Sequence, residues 1–367
     1  GCVYAKSKLK FGELGGDGEL TISGNTKHAI NSSKKTEFYA GTVNIISAQG
    51  DGLNSDGLQM YGGKLNISGT GGDGVDASES ILIEKGEFVF SSSAEDVKAL
   101  KSDSSIVVKG GNLDITMTGA AAKGMKTSLA DIEIYGGEII MNIDGTSIIA
   151  DGDTSYSAAI KTDKGVVISD GKIDLTLGKN AIASKGITAD GDVTVKGGVV
   201  KITNNGSYYT GATTTTSTGG STGGWGGGFG GSSKTSTAYT EGRCVKGNNV
   251  YLTAGDFTLM TSDGAKGVKA EADLIVGAEK ADNSALTINV TTNGTATSSS
   301  TSSSTGGRPG GFGGMSDGNS SKYAGNPKAF VGENITVNSG TIIVDAKDDA
   351  FHANTKLEVN GGDLTID

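Results

Sequence analysis

Two neighbouring stretches carry oxygen-bearing side chains at matching spacings: Asp51, Asn54 and Asp56, then Asp73 and Asp76. Laid side by side, Asp51 falls over Asp73 and Asn54 over Asp76, with Asp56 at the turn that follows. Hard oxygen donors gathered in this way suit Ca2+, which takes about six to eight of them. A solvated acidic surface is the alternative. A smaller group, Asp345, Asp348 and Asp349 near His352, invites the same reading, as does the Asp151-Gly152-Asp153 loop.

Further along, the same positions turn basic. Lys98, Lys101, Lys123, Lys126, Lys161, Lys185, Arg243, Lys246, Lys266, Lys269 and Lys328 fill eleven of fourteen equivalent slots, and no slot is acidic. With 31 Lys and Arg in 367 residues, fourteen random slots would hold about one. Cations stacked about 5 Å apart repel by roughly 1 kcal/mol per neighbouring pair in water. Either nearby carboxylates or an anionic ligand must offset this. Asp103, Asp163, Asp190, Glu271 and Glu333 each lie five residues after a slot-bearing segment begins, too few to match eleven bases. A basic groove on an otherwise acidic chain draws in anions, and a long repeating stripe suits a uronic-acid polysaccharide.

No hydrolase constellation stands out around His28 or His352. The one reaction these residues permit is β-elimination on a uronate, with a lysine base whose pKa is lowered by its neighbours.

What positions these side chains is a five-residue unit: variable, small, apolar, variable, small. It occurs twelve times, beginning at Gly1, His28, Asp51, Asp73, Lys98, Lys123, Ala158, Lys185, Arg243, Lys266, Lys328 and Asp349. An apolar-x-apolar run follows most pentads (Ile81/Ile83, Ile106/Val108), then one or two glycines, then a third alternating run (Phe88/Phe90, Leu113/Ile115). Period-two alternation marks strands, and the glycines mark turns. Three short strands per repeat describe a single-stranded right-handed parallel β-helix of about twelve coils, all-β, in one domain over residues 1–367. At about 4.8 Å per coil, the rod is roughly 55–60 Å long.

Insertions at 203–242 and 291–327, and a minor one at 144–157, fall in the same slot between the third strand and the next pentad, so they project from one corner. The two long ones are rich in Gly, Ser and Thr and carry Trp225, Phe229 and Phe312 among glycines. They read either as low-complexity linker or as an aromatic platform for sugar rings. Cys2 and Cys244 occupy small pentad slots several coils apart. Both read as buried small residues without a disulfide; a lipid-acceptor role for Cys2 is the rival.

Composition agrees with a solenoid. There are 62 Gly and 2 Pro, and charged residues make up 20%. The net charge of −10 disfavours nucleic acid as a partner. No apolar run is long enough for a transmembrane helix.

The pentad followed by apolar-x-apolar, glycine and a further alternating run, as in Asp73–Phe90 and Lys98–Ile115, resembles the bacterial carbohydrate-binding β-helix family of cellulolytic clostridia and gut bacteria. The glycine-aromatic insertions are similar too. The resemblance implies a secreted or cell-surface protein, binding cellulose or pectic, acidic polysaccharide. It also implies bound calcium and a fold like that of pectate-type polysaccharide lyases. A calcium-dependent lyase and a structural surface adhesin are the alternative functions.

Overall fold

A computed structural model describes residues 2–24, 27–150, 153–216, 234–294 and 326–367. Twelve coils stack in register, numbered here from the first pentad. Pentad strands and second strands merge at the edges into one 22-stranded sheet, and the third strands form a 12-stranded sheet. In coils 11 and 12 the first two strands run on as single strands, Phe330–Val337 and Phe351–Val359. All coil-to-coil pairing is parallel: Leu100 pairs with Met125, Met125 with Ile160, and Ile160 with Ile187. The chain is thus a parallel β-helix.

Alternation decides what faces inward. In Asn112–Met117, Leu113, Ile115 and Met117 are buried, while Asn112, Asp114 and Thr116 are exposed. Inward columns such as Phe88, Leu113, Ile139, Ile173, Val200 and Phe257 form a continuous core. Each such side chain contributes roughly 1.5–3 kcal/mol by leaving water.

Both small pentad slots have a steric or polar reason. The second slot alternates along the rod from coil 4 to coil 11: Gly74, Ala99, Gly124, Ala159, Gly186, Cys244, Gly267, Ala329. A Cβ on Gly124 would lie 2.5 Å from the Ala159 carbonyl oxygen, and one on Gly186 would lie 2.4 Å from that of Cys244. The fifth slot often holds a buried hydroxyl. Ser102 and Thr162 Oγ accept the backbone N–H two residues on, at 3.1 and 2.9 Å, and so close the turn to the second strand. Glycine is required in the following turn: Gly137 has φ +94°, and a Cβ there would lie 2.8 Å from the Gly111 carbonyl oxygen.

The cysteines differ. Cys244, between coils 8 and 10, is buried, whereas Cys2 is exposed, correcting the expectation that both are core residues. Both are free thiols.

Two insertions contain antiparallel hairpins. Ile148–Ala150 pairs with Asp153–Ser155 before the coil 7 pentad, and Tyr209–Thr216 pairs with Lys234–Thr240 before that of coil 9.

Candidate functional site

The pentad strands bring the eleven basic residues into two columns. In the fourth position, Asp76, Lys101, Lys126, Lys161, Thr188, Lys246 and Lys269 follow one another in register. In the first, Lys98 pairs with Lys123, then come Ala158, Lys185, Arg243 and Lys266. The columns are not equivalent. Lys123, Lys185, Lys266 and Lys328 are buried, while the fourth-position lysines are partly exposed.

Ten of the eleven bases lie within 4 Å of a carboxylate. The compensation is fuller than the sequence suggested, because one acid often serves two stacked cations. Asp96 bridges Lys98 (3.1 Å) and Lys123 (2.9 Å). Asp163 bridges Lys126 (3.3 Å) and Lys161 (3.6 Å), and Glu271 bridges Lys246 (3.4 Å) and Lys269 (2.8 Å). Buried Glu241 contacts Lys266 and lies 3.5 Å from Arg243. Lys328 meets Asp348 and Asp349, and Asp349 also meets His352 at 2.7 Å. Of the five flanking acids read from the sequence, Asp163 and Glu271 pair with the stripe; among the described residues Asp103, Asp190 and Glu333 form no ion pair with it.

The eleventh base, Lys185, has no carboxylate within ion-pair distance among the described residues. Its ammonium donates to the Ala183 and Glu241 carbonyls at 3.0 and 2.6 Å. Burial, followed by the nearby Arg243, pushes its pKa well below the ordinary lysine range. Burial also lowers Lys123 and Lys266, against the opposing pull of Asp96 and Glu241. Glu241 Oε2 and Arg243 Nε are buried without a protein partner.

The acidic group assembles in part. Oxygens of Asp51, Asp73 and Asp76 lie within 4.8 Å of one another. Asn54 sits beside Asp76 in the ladder, its amide 3.5 Å from Asp51 Oδ2. Asp56 lies outside this cluster and pairs with Lys34 at 3.2 Å. Burial pushes the Asp73 carboxyl up to about 6. Two partners were not foreseen: His28 Nδ1 lies 2.9 Å from Asp51 Oδ2, and Lys101 lies 3.1 Å from Asp76 Oδ1 and 3.8 Å from Asp73 Oδ2. In the second acidic group, Asp345 pairs with Lys347, and Asp348 and Asp349 pair with Lys328. Asp151 and Gly152, like Trp225, Phe229 and Phe312, lie outside the described residues.

Asp96, Glu241, Tyr156 and Ser155 are the site residues the sequence reading missed. A signal was present: Asp96 and Glu241 each stand two residues before a pentad, and Asp96 adopts φ +55° there. Asp tolerates that left-handed turn better than most residues.

Stacked coils with a charged seam along one column of strands define the solenoid class. A family model described as carbohydrate-binding domain-containing protein matches residues 1–206 and 230–367, and the chain belongs to that family. It is a carbohydrate-binding protein. No curated protein and no solved structure matches it. No helix among the described residues is long and apolar enough to cross a membrane.

Proposed function

We propose that this protein is a non-catalytic, extracellular or cell-surface binder of acidic, uronic-acid polysaccharide, held along the fourth-position column. The carrying observation is the ratio within that column. Asp163 serves both Lys126 and Lys161, and Glu271 serves both Lys246 and Lys269, so within ion-pair distance one carboxylate meets two cations in each pair, with Asp190 acting on Lys161 from further off. The two pairs lie three coils apart, roughly 14 Å. A polymer with a carboxylate on each sugar supplies the missing negative charges repeatedly. Family membership supports the carbohydrate, and the lysine pairs support its acidic kind.

We infer Ca2+ at Asp51, Asp73 and Asp76. Support comes from the convergence of three carboxylates and from the raised Asp73 pKa, which marks a buried acid short of positive charge. The Lys101 ammonium already stands beside Asp73 and Asp76, so the ion has to displace it. Asn54 adds an amide oxygen when its side chain turns over. Asp56 is too far committed to Lys34 to belong to the set.

Affinity electrophoresis in polygalacturonate and in a neutral β-glucan tests the reading. Retardation by the acidic polymer alone, weakened in Lys246→Gln/Lys269→Gln, is expected. Equal migration in both gels overturns it. The appearance of unsaturated product absorbance during incubation with polygalacturonate and Ca2+ would favour a lyase instead.

A further inference from the structure

The seam is not uniform. Beneath the Ile148–Ser155 hairpin it deepens into a cavity of about 270 Å3 lined by Asp96, Lys98, Lys123, Lys126, Lys161, Ser155, Tyr156 and Thr154. We propose that this cavity is a subsite for a single uronate residue, its carboxylate held by Lys126 and Lys161. The proposal rests on the acidic-polysaccharide reading and adds where one sugar is gripped.

Three observations carry it. The first is charge: four lysines line the cavity with Asp96, and Asp163 borders it through Lys126 and Lys161. Four cations against two paired carboxylates and the more distant Asp190 leave a net positive charge in a partly enclosed space, where it attracts an anion more strongly than on an open surface. The second is the mixture of chemistries. Asp96 offers acceptors for sugar hydroxyls. Ser155 Oγ accepts a hydrogen bond from Lys123 at 2.8 Å and keeps its own proton to donate. The Tyr156 ring adds an apolar wall. A bare oxyanion has no use for these. The third is size, since the volume falls just below the usual range of small-molecule sites, about 300–1,000 Å3. That is room for one sugar ring.

The walls are held firmly. Lys123 is buried between Asp96 and Ser155, and the ammonium groups of Lys161 and Lys185 lie 5.4 and 4.9 Å from the Tyr156 ring centre. Lys126 and Lys161 share Asp163 within ion-pair distance, and Asp190 acts on Lys161 from further off.

Titration calorimetry with galacturonate and digalacturonate, both too short to reach coil 9 from coil 6, tests the assignment. Saturable binding is expected, at least tenfold weaker in Lys126→Gln/Lys161→Gln and unchanged in Lys172→Gln, since Lys172 lies on the third-strand sheet and pairs with Glu138. Galactose and methyl galacturonate should not bind. Thermal unfolding of each variant checks that it is folded. Binding that ignores the Lys126/Lys161 change, or sulfate binding as tightly as galacturonate, overturns the subsite. Failure of wild-type protein to bind polygalacturonate removes the parent reading. Polymer binding without binding of the short acids removes the subsite alone.

Discussion

Lys185 Nζ lies 4.9 Å from the centre of the Tyr156 ring, so a residue beside the coil 7 hairpin roofs a lysine buried in coil 8. The insertion is therefore tied to the ladder it overhangs. Ions in that ladder are held at very different depths, and the expected outcomes below follow from depth.

Lys185 should make stability respond to alkali. Its folded pKa is lowered, while an unfolded lysine titrates near about 10.4. Between those values the unfolded chain binds more protons, so stability rises with pH across the window. Urea unfolding of wild type and Lys185→Met should show the stability difference shifting in favour of wild type as pH climbs toward about 10. A pH-independent difference would show that the amine is not depressed.

Glu241 and Asp163 each serve two cations, yet their losses should differ. Glu241→Gln leaves buried Lys266 and half-buried Arg243 without a counter-charge, at a cost of about 3–5 kcal/mol. Asp163 is 38% exposed, so Asp163→Asn should cost no more than about 1 kcal/mol. Equilibrium unfolding at neutral pH measures both.

Asp73→Asn should stabilise the apo protein at pH 7. The folded carboxyl keeps its proton up to about pH 6, while the unfolded one releases it near about 3.9. Native protein therefore binds more protons between those values, and stability falls as pH rises through them. Removing the charge restores up to about 3 kcal/mol, while the asparagine oxygen still accepts the Lys98 N–H. Calcium should raise the unfolding temperature of wild type and leave that of Asp73→Asn unchanged.

The thiols should separate in a reagent assay. Exposed Cys2 reacts at once in native protein, while Cys244 is enclosed and its pKa pushed up by burial. One equivalent before denaturation and two after are expected.

Strand columns were legible because inward Ile, Val and Leu repeat with period two and pentads repeat whole. Pairings such as Leu53 with Val75 and Val75 with Leu100 follow from that pattern. The facing of Asn54 and Asp76 was legible for the same reason. The burial of Lys123 beneath Ser155 was not. It depends on where an irregular insertion folds back, and no periodicity encodes that. The role of Asp96 was hidden because its carboxylate reaches its partners from a left-handed turn outside the pentad.

The alternation of glycine with alanine or cysteine in the second pentad slot has a consequence for how such a rod can grow. From coil 4 to coil 11 facing β-carbons are kept apart by making every other one absent, whereas Cys2 faces Ala29 and Ala329 faces Ala350 in the outer coils, so within that stretch the repeating unit is a pair of coils, not one. Excising coil 6 alone would set Ala99 against Ala159, whereas excising coils 6 and 7 together would set Ala99 against Gly186. Length changes between coils 4 and 11, by duplication or by design, should therefore preserve the alternation in even steps and break it in odd ones.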